Sequence, residues 1–209
     1  MTDRATFLAA LRDRMREAAV EPRIPLVPVD GVPLPVFVGR PSGVDDFVTA
    51  WQALGGHVQR VARDDDVAAA VARAVDGRGP VAIGADPLVR HLDADLQWPD
   101  CGLEALGGAA VGVVGGVAAV AATGSIVVDA ASGAGRSVSL LPDVAVFVIR
   151  EDSIVDTPSD VLRAHRQRWP EGPPSQVVLV SGPSRSADIE MTLTVGVHGP
   201  GEVHAIIVA

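Results

Sequence analysis

The spacing of apolar and polar residues changes several times between helical and extended periodicity from residue 43 to the end of the chain. Segments with helical spacing alternate with short, almost continuous Val/Ile runs that have the length of buried strands. The predicted helices are 44–54, 64–75, 87–92, 158–167 and 186–194, and the predicted strands are 57–61, 81–84, 125–129, 144–149, 177–180 and 203–208. Strands of this composition are typical of parallel sheets covered on both faces, so the pattern predicts an α/β protein with a mostly parallel sheet.

An uncharged, glycine-rich run covers residues 105–122 and allows two interpretations. The spacings Gly108-x-x-x-Gly112 and Gly112-x-x-x-Gly116 are those of packed membrane helices. The run has no aromatic anchor, however, and each glycine weakens a helix by about 1 kcal/mol relative to alanine. We therefore predict a buried strand, a turn and a second strand rather than a membrane span.

The first 42 residues have a different pattern from the rest of the chain. Residues 3–19 have the spacing of an amphipathic helix, and residues 22–41 contain six prolines, which favour an extended arm because proline interrupts helices and central strands. We expect an N-terminal helix and arm over 1–42 and an α/β domain over 43–209. The beginning of the chain lacks the apolar segment of a signal peptide, so we expect a cytoplasmic protein.

Charge and cysteine content narrow the classes of partner. All 17 basic residues are arginine, and the formal net charge is −9 at pH 7. The arginines are interleaved with acidic residues, so we expect neither nucleic acid nor a membrane surface as a partner. Because Cys101 is the only cysteine, this chain alone forms neither a disulfide nor a four-thiolate metal site.

Three loops rich in small residues follow predicted strands or precede predicted helices, and each is a candidate anion site. They are 123–125, 132–139 and 181–190. Small residues allow a ligand to approach backbone amides, and an arginine supplies two parallel donors to a carboxylate or phosphate. Arg136 and Arg185 lie inside two of these loops, so they are candidate ligands of one small acid. Ordinary turn glycines and solvated arginines are the alternative interpretation.

Sharper catalytic motifs are mostly missing. The segment Gly182-x-Ser184-x-Ser186 is one residue short of a nucleophile elbow, with Pro183 before the nucleophile position. No G-x-G-x-x-G segment occurs, and the five histidines contain neither H-E-x-x-H nor an i, i+4 pair. We therefore expect no nicotinamide or flavin site and no metal site in this chain.

Four segments resemble the LUD-domain family, in particular its lactate-utilisation protein C subfamily. They are Ala121-Ala122-Thr123-Gly124-Ser125, Arg136-x-x-Ser139-Leu140-Leu141-Pro142, Ser181-Gly182-Pro183-Ser184-Arg185-Ser186-Ala187-Asp188-Ile189-Glu190 and Gly196-Val197-His198-Gly199-Pro200. The similarity runs from about residue 43 to the end of the chain, and the decapeptide at 181–190 is its most specific part. This family commonly has an acidic residue directly before Thr-Gly-Thr, where this chain has Ala122 and ends the motif with Ser125.

The resemblance implies a three-layer α/β/α fold related to sugar-phosphate isomerases and CoA transferases. It also implies a part in oxidising L-lactate to pyruvate beside partner proteins that carry iron–sulfur clusters. The candidate substrate-binding residues are Thr123, Gly124, Ser125, Arg136, Ser139, Gly182, Ser184, Arg185 and His198. Asp188 or Glu190 is the candidate catalytic base, although Asp188 is equally suited to the N-terminal end of the predicted helix.

Four functions remain open from the sequence. The first is an accessory or small-carboxylate-binding subunit of a lactate-oxidising system, without a cofactor of its own. The second is an enzyme of the CoA-transferase or sugar-phosphate-isomerase type that acts on an acyl or phosphate-bearing metabolite, with Glu190 as an acyl acceptor. The third is an assembly protein that uses residues 1–42 to dock partners, and the last is a serine hydrolase acting through Ser184.

Overall fold

The structure is a computed structural model, and most of the residues it describes belong to one unit that covers residues 39–209. The described residues are 6, 42–130, 136–164, 169–170, 172, 174–186, 194–195 and 198–209. The predicted helix over 3–19 and the proline-rich arm over 22–41 lie almost wholly outside them, so the division of the chain at residue 42 stays a prediction.

Short helices and strands alternate along the described chain. The helices are α1 (Gly43–Ala53), α2 (Val67–Val75), α3 (Gly102–Leu106), α4 (Ser137–Leu140) and α5 (Pro158–Arg163), with 3-10 turns at Asp64–Asp66 and Glu151–Ser153. The strands are β1 (His57–Val61), β2 (Val81–Ile83), β3 (Leu96–Gln97), β4 (Val111–Gly115), β5 (Ala118–Val120), β6 (Ser125–Asp129), β7 (Val144–Arg150), β8 (Ile154–Val155), β9 (Val177–Val180), β10 (Arg185–Ser186), β11 (Thr194–Val195) and β12 (Glu202–Val208).

A parallel sheet forms the centre of the unit. Its strands have the order β1-β12-β7-β4-β2-β3, and every neighbouring pair is parallel. Val67, Ala70 and Val71 of α2 pack on one face, and Phe47 and Trp51 of α1 pack on the other. Both faces are therefore covered, and the predicted α/β fold with a mostly parallel sheet flanked by helices is confirmed.

A second, mixed sheet packs on the α1 side and was not predicted as a separate layer. Its order is β8-β5-β6-β9, and β6 runs antiparallel to both β5 and β9. Ile126 and Val128 of β6 face the same core cluster as α1, whereas Val127 packs on the opposite side with Val161 of α5 and Trp169. The second sheet therefore lies between the central sheet and α5.

The glycine-rich run forms the predicted strand, turn and strand. Its strands β4 and β5 are buried at every residue. A Cβ on Gly112 would lie 1.8 Å from the Val138 carbonyl oxygen, and one on Gly116 would lie 2.6 Å from the Ile149 side chain. The glycines thus permit close packing of strands and helix. In the described part of the chain, no helix has the length and apolar character needed to cross a membrane.

Two predicted helices are wrong. Residues 87–92 form hydrogen-bonded turns, in which the Asp86 carbonyl accepts bonds from Val89 and Arg90 and its carboxylate accepts a bond from the Leu88 amide. The predicted helix over 186–194 is contradicted at its two ends, because Ser186 pairs with Thr194 in an antiparallel ladder. A helix of that length would hold its ends roughly 12 Å apart, which is too far for strand pairing.

Candidate functional site

The second sheet decides where the three candidate loops lie. Thr123 and Gly124 lie in the turn between β5 and β6, and Ser125 begins β6. Ser181 follows β9 at the same edge, because Ile126 is paired with Val180. The loop after β6 leaves from the opposite edge, where Asp129 is paired with Val177. The antiparallel direction of β6 therefore separates the start of the second candidate loop from the other two.

Three hydroxyl groups join the first and third loops. The Thr123 and Ser125 Oγ atoms are 2.7 Å apart, and the Ser125 and Ser181 Oγ atoms are also 2.7 Å apart. Ser125 is buried, whereas Ser181 is exposed at the surface. This chain of hydroxyls holds the 181–184 loop against the β5–β6 turn and leaves Ser181 accessible to a ligand.

A surface cleft of about 280 Å³ runs along β9, and we call it the β9 cleft. It contains four predicted substrate-binding residues and is lined by Ser139, Leu140, Val178, Leu179, Val180, Ser181, Gly182, Pro183, Ser184, His198, Gly199 and Pro200. The Ser184 amide donates a hydrogen bond of 2.8 Å to the Pro200 carbonyl, which ties the two loops together. The β9 cleft thus offers serine hydroxyls and one imidazole on an otherwise apolar wall.

The two candidate arginines have separate surroundings. Nη2 of Arg185 donates a hydrogen bond of 2.5 Å to the Leu54 carbonyl at the C-terminal end of α1. Arg136 lines a small cleft together with Asp129 and Gln176, at the other edge of the second sheet. Neither arginine is among the residues that line the β9 cleft, so the described structure does not bring the two guanidinium groups together in one pocket. Ser139 and Val178 line both clefts.

Two of the predicted site glycines make close contacts with α1. Gly124 has φ +56°, and a Cβ there would lie 2.6 Å from the backbone of Ala50 and Trp51. Gly182 has φ +83°, and its Cβ would lie 2.9 Å from the Leu54 side chain. Both positions require glycine for backbone conformation and for space. They position the loops against the last turn of α1.

The structure describes Ser184 and the histidines but not the candidate catalytic carboxylates. Asp188 and Glu190 lie outside the described residues, so their roles stay predictions. Within the described chain no hydrogen bond connects Ser184 to His198, and His204 is hydrogen-bonded to Glu202. A serine nucleophile activated by an adjacent histidine therefore finds no support in this geometry.

Comparison with known proteins identifies the family. The family model described as "LUD domain" matches residues 103–208. A protein named "Lactate utilization protein C" from Deinococcus radiodurans is 31% identical over 165 residues, which are 78% of this chain and 77% of that protein. The chain belongs to the LUD domain family.

Other relatives of this LUD protein agree in fold or in part of the sequence. A "Lactate utilization protein C" from Shouchella clausii is 42% identical over 99 residues, which are 47% of this chain. This chain therefore spans 43% of that relative's length. The crystal structure of a DUF162 family protein from Deinococcus radiodurans superposes with a TM-score of 0.59 and 25% identity, covering 79% of this chain and 95% of that one.

Sequence reasoning missed a polar cluster on the α2 side of the LUD protein. Arg78 donates to both carboxylate oxygens of Glu202, at 2.7 and 3.0 Å, and His204 Nε2 lies 2.5 Å from Glu202 Oε1. These hydrogen bonds, that from Arg78 above all, lower the pKa of Glu202 to about 2, and burial lowers the pKa of His204. The spacing Glu-x-His in a strand was the available signal, since it places both side chains on one face.

A buried carboxyl group beyond β2 was also missed. Asp86 is 8% exposed, and burial raises its pKa, with a smaller contribution from the negative charge of Asp129. A Cβ on Gly115 would lie 2.2 Å from an Asp86 carboxylate oxygen, so the glycine gives this side chain its space. The Leu88 amide binds the same oxygen at 2.9 Å, which indicates a structural role in the turn.

Proposed function

We propose that this chain acts in lactate utilisation, as an accessory or small-carboxylate-binding subunit of a system that oxidises L-lactate to pyruvate. Membership of the LUD domain family supports the proposal, together with relatives named "Lactate utilization protein C", one of them aligned over 77% of its length. The observation in the structure that carries it is the clustering of Ser139, Ser184 and His198 around the β9 cleft.

The β9 cleft has the size and polarity for a small hydroxy or keto acid. The Ser184 hydroxyl and the His198 imidazole are hydrogen-bond donors, and bonds from such donors to a carboxylate are stronger than those between neutral groups. Ser139 Oγ donates its hydrogen to the Arg136 carbonyl at 3.1 Å, so it is left as an acceptor for the hydroxyl group of the acid. The apolar side chains of Val178 and Val180 line the same cleft and suit the methyl group of lactate or pyruvate. We assign the carboxylate to the serine and histidine side of the cleft.

Oxidation of lactate needs an electron acceptor outside this chain. Conversion of L-lactate to pyruvate releases two electrons and two protons, which a redox cofactor has to accept. With Cys101 as its single cysteine, this chain alone cannot form a four-thiolate iron–sulfur cluster. We therefore propose that iron–sulfur proteins which assemble with this chain accept the electrons, while this chain binds and orients the acid.

Complementation of source cells that lack this chain tests the proposal. Extracts of complemented cells should reduce a dye in an L-lactate-dependent reaction, and iron with acid-labile sulfide should co-purify with the tagged chain. Ser184→Ala and His198→Gln should lower the lactate-dependent rate by at least about tenfold, because each removes a hydrogen bond to a charged group.

The controls are Ser153→Ala and His91→Gln, which change the same residue types outside the β9 cleft and should leave the rate unchanged. Full activity of the Ser184→Ala and His198→Gln extracts would contradict the role of the cleft. A tagged chain that purifies without iron from lactate-oxidising cells would contradict the iron–sulfur partners.

A further inference from the structure

Two histidines from distant parts of the chain lie side by side in the central sheet. His57 begins β1, and it is paired in register with His204 of the neighbouring parallel strand β12. Residues paired in this way project from the same face of a sheet. The two imidazole rings are stacked, with centroids 4.7 Å apart and an angle of 27° between their planes.

Glu202 adds a carboxylate on the same face, because it lies two residues before His204 in β12. Its Oε1 is 2.5 Å from His204 Nε2. Each of the three side chains offers one ligand atom, and these atoms all lie within 4.8 Å of one another. Strand register thus brings together two imidazole nitrogens and one carboxylate oxygen without any loop between them.

We propose that His57, His204 and Glu202 bind one divalent transition-metal ion of the zinc class. Two imidazoles and one carboxylate are a ligand set that zinc uses when a fourth position is left to water or to a ligand. Imidazole nitrogen favours zinc, nickel or copper over magnesium and calcium, which prefer oxygen ligands. His57 is exposed, so the ion has a path from solvent and an open side.

Arg78 limits the affinity of this site. Its Nη1 donates to Oε2 of Glu202 at 2.7 Å, and its Nη2 donates to Oε1 at 3.0 Å and to the Ala74 carbonyl at 2.8 Å. A bound ion replaces the hydrogen bond between Oε1 and His204 Nε2, so His204 then carries its proton on Nδ1, and the Arg78 bond to Oε2 is left to orient the carboxylate. The guanidinium charge opposes a cation at this distance, so replacing Arg78 by a neutral residue should strengthen metal binding.

The proposed metal site lies on the opposite face of the central sheet from the β9 cleft. Its strand neighbours on the same face, Val61 and Ile206, belong to the core under α2, whereas α4 and the second sheet pack on the other face. The inference therefore does not rest on the proposed function. Loss of metal binding and loss of acid binding can be measured independently on the same protein.

Titration of the full chain with Zn²⁺ against a chromophoric chelator, together with Co²⁺ absorption spectra, tests the inference. We expect one ion per chain and the visible bands of a Co²⁺ ion with nitrogen ligands. His57→Gln, His204→Gln and Glu202→Gln should each weaken Zn²⁺ binding by at least about tenfold. Arg78→Gln should strengthen it by about threefold or more.

Matched controls separate this site from adventitious binding. His91→Gln and Cys101→Ser change other potential ligands and should leave the affinity within about twofold of the wild type. If Glu202→Gln or His204→Gln fails to fold, His57→Gln carries the test because His57 is exposed. A wild-type chain that binds no Zn²⁺, or a His57→Gln variant with unchanged affinity, would overturn the inference.

Discussion

At the scale of single residues, the partner that each charged side chain finds decides its role. Arg185 and Arg136 are alike in sequence context, yet one binds the end of α1 and the other borders Asp129 and Gln176. Arg78 follows α2 directly and binds the last carbonyls of that helix as well as Glu202. Arg78 therefore both neutralises the charge of Glu202 and stabilises the C-terminal end of α2.

Glu202→Gln should make the free energy of unfolding less dependent on pH below neutrality. The pKa of Glu202 is lowered in the folded state from 4.5 to about 2, so its stabilising effect is complete above pH 4.5 and is lost as the pH falls towards 2. We expect the wild type to exceed the variant by on the order of 1 kcal/mol at pH 7, after allowance for solvent screening, and by less at pH 3.

Urea denaturation between pH 7 and pH 3, with a chelator present, measures this difference in the free energy of unfolding. The control is Glu104→Gln, which changes an exposed glutamate in α3 and should follow the wild type at every pH. Equal wild-type and Glu202→Gln stabilities at pH 7, or a constant difference down to pH 3, would contradict the role of the ion pair.

At the scale of helices and strands, the second sheet holds the β9 cleft in place, and α1 holds the second sheet. Gly124 and Gly182 bring two of its loops against the last turn of α1, and the Trp51 indole donates a hydrogen bond of 3.0 Å to the His57 carbonyl. Phe47 and Trp51 of α1 belong to the same core cluster as Ile126 and Val128 of β6. A change at this contact should therefore affect both stability and the β9 cleft.

Gly124→Ala should destabilise the fold more than Gly77→Ala does. Both glycines have positive φ, +56° and +72°, so both substitutions carry a backbone cost of about 1–2 kcal/mol. Only at Gly124 does the added Cβ meet backbone atoms, at 2.6 Å from Ala50 and Trp51, whereas nothing lies within 4 Å at Gly77. We expect a total cost of roughly 2–4 kcal/mol for Gly124→Ala.

Thermal and urea unfolding of the two variants measures that difference at neutral pH. Gly77→Ala is the control because it shares the backbone cost and lacks the steric one. Equal losses in the two variants would show that the close contact of the β5–β6 turn with α1 contributes nothing.

The local pattern of residues was sufficient to predict the bounds of several strands. The bounds of β1, β6 and β9 agree with the sequence, because β6 and β9 are short runs of Val, Ile or Leu next to glycine-containing turns and β1 begins directly after Gly55-Gly56. The direction of β6 is not a local property. It follows from tertiary pairing with β5 and β9, and it is the reason why the loop after β6 begins at the opposite edge from Ser181.

The difference between local sequence pattern and tertiary pairing also applies to the candidate site. Ser139, Gly182, Ser184 and His198 come from three of the segments that resemble the family and meet in one cleft, although the local pattern of residues fixed none of their distances. The cluster of His57 with His204 depends on the register of two strands that are far apart in the chain. No spacing rule for histidines finds such a pair, because the rules apply to residues of one helix or one loop.

At the scale of the whole molecule, the described unit presents two separate surfaces with chemistry. The β9 cleft lies beside α4 and the second sheet, and the cluster of His57, Glu202 and His204 lies on the α2 side of the central sheet. Their side chains lie on opposite faces of the central sheet, although Pro200 of the cleft is only two residues before Glu202. This arrangement allows the acid site and the metal site to be tested one at a time.

Histidine-selective NMR of the full chain with L-lactate and pyruvate tests whether the β9 cleft binds a small acid. The chain has five histidines, so the imidazole signals can be assigned by single substitutions. We expect a saturable shift of the His198 signal and no shift at His91, with a midpoint raised by about tenfold in Ser184→Ala. An unchanged His198 signal at saturating acid would contradict binding in the β9 cleft.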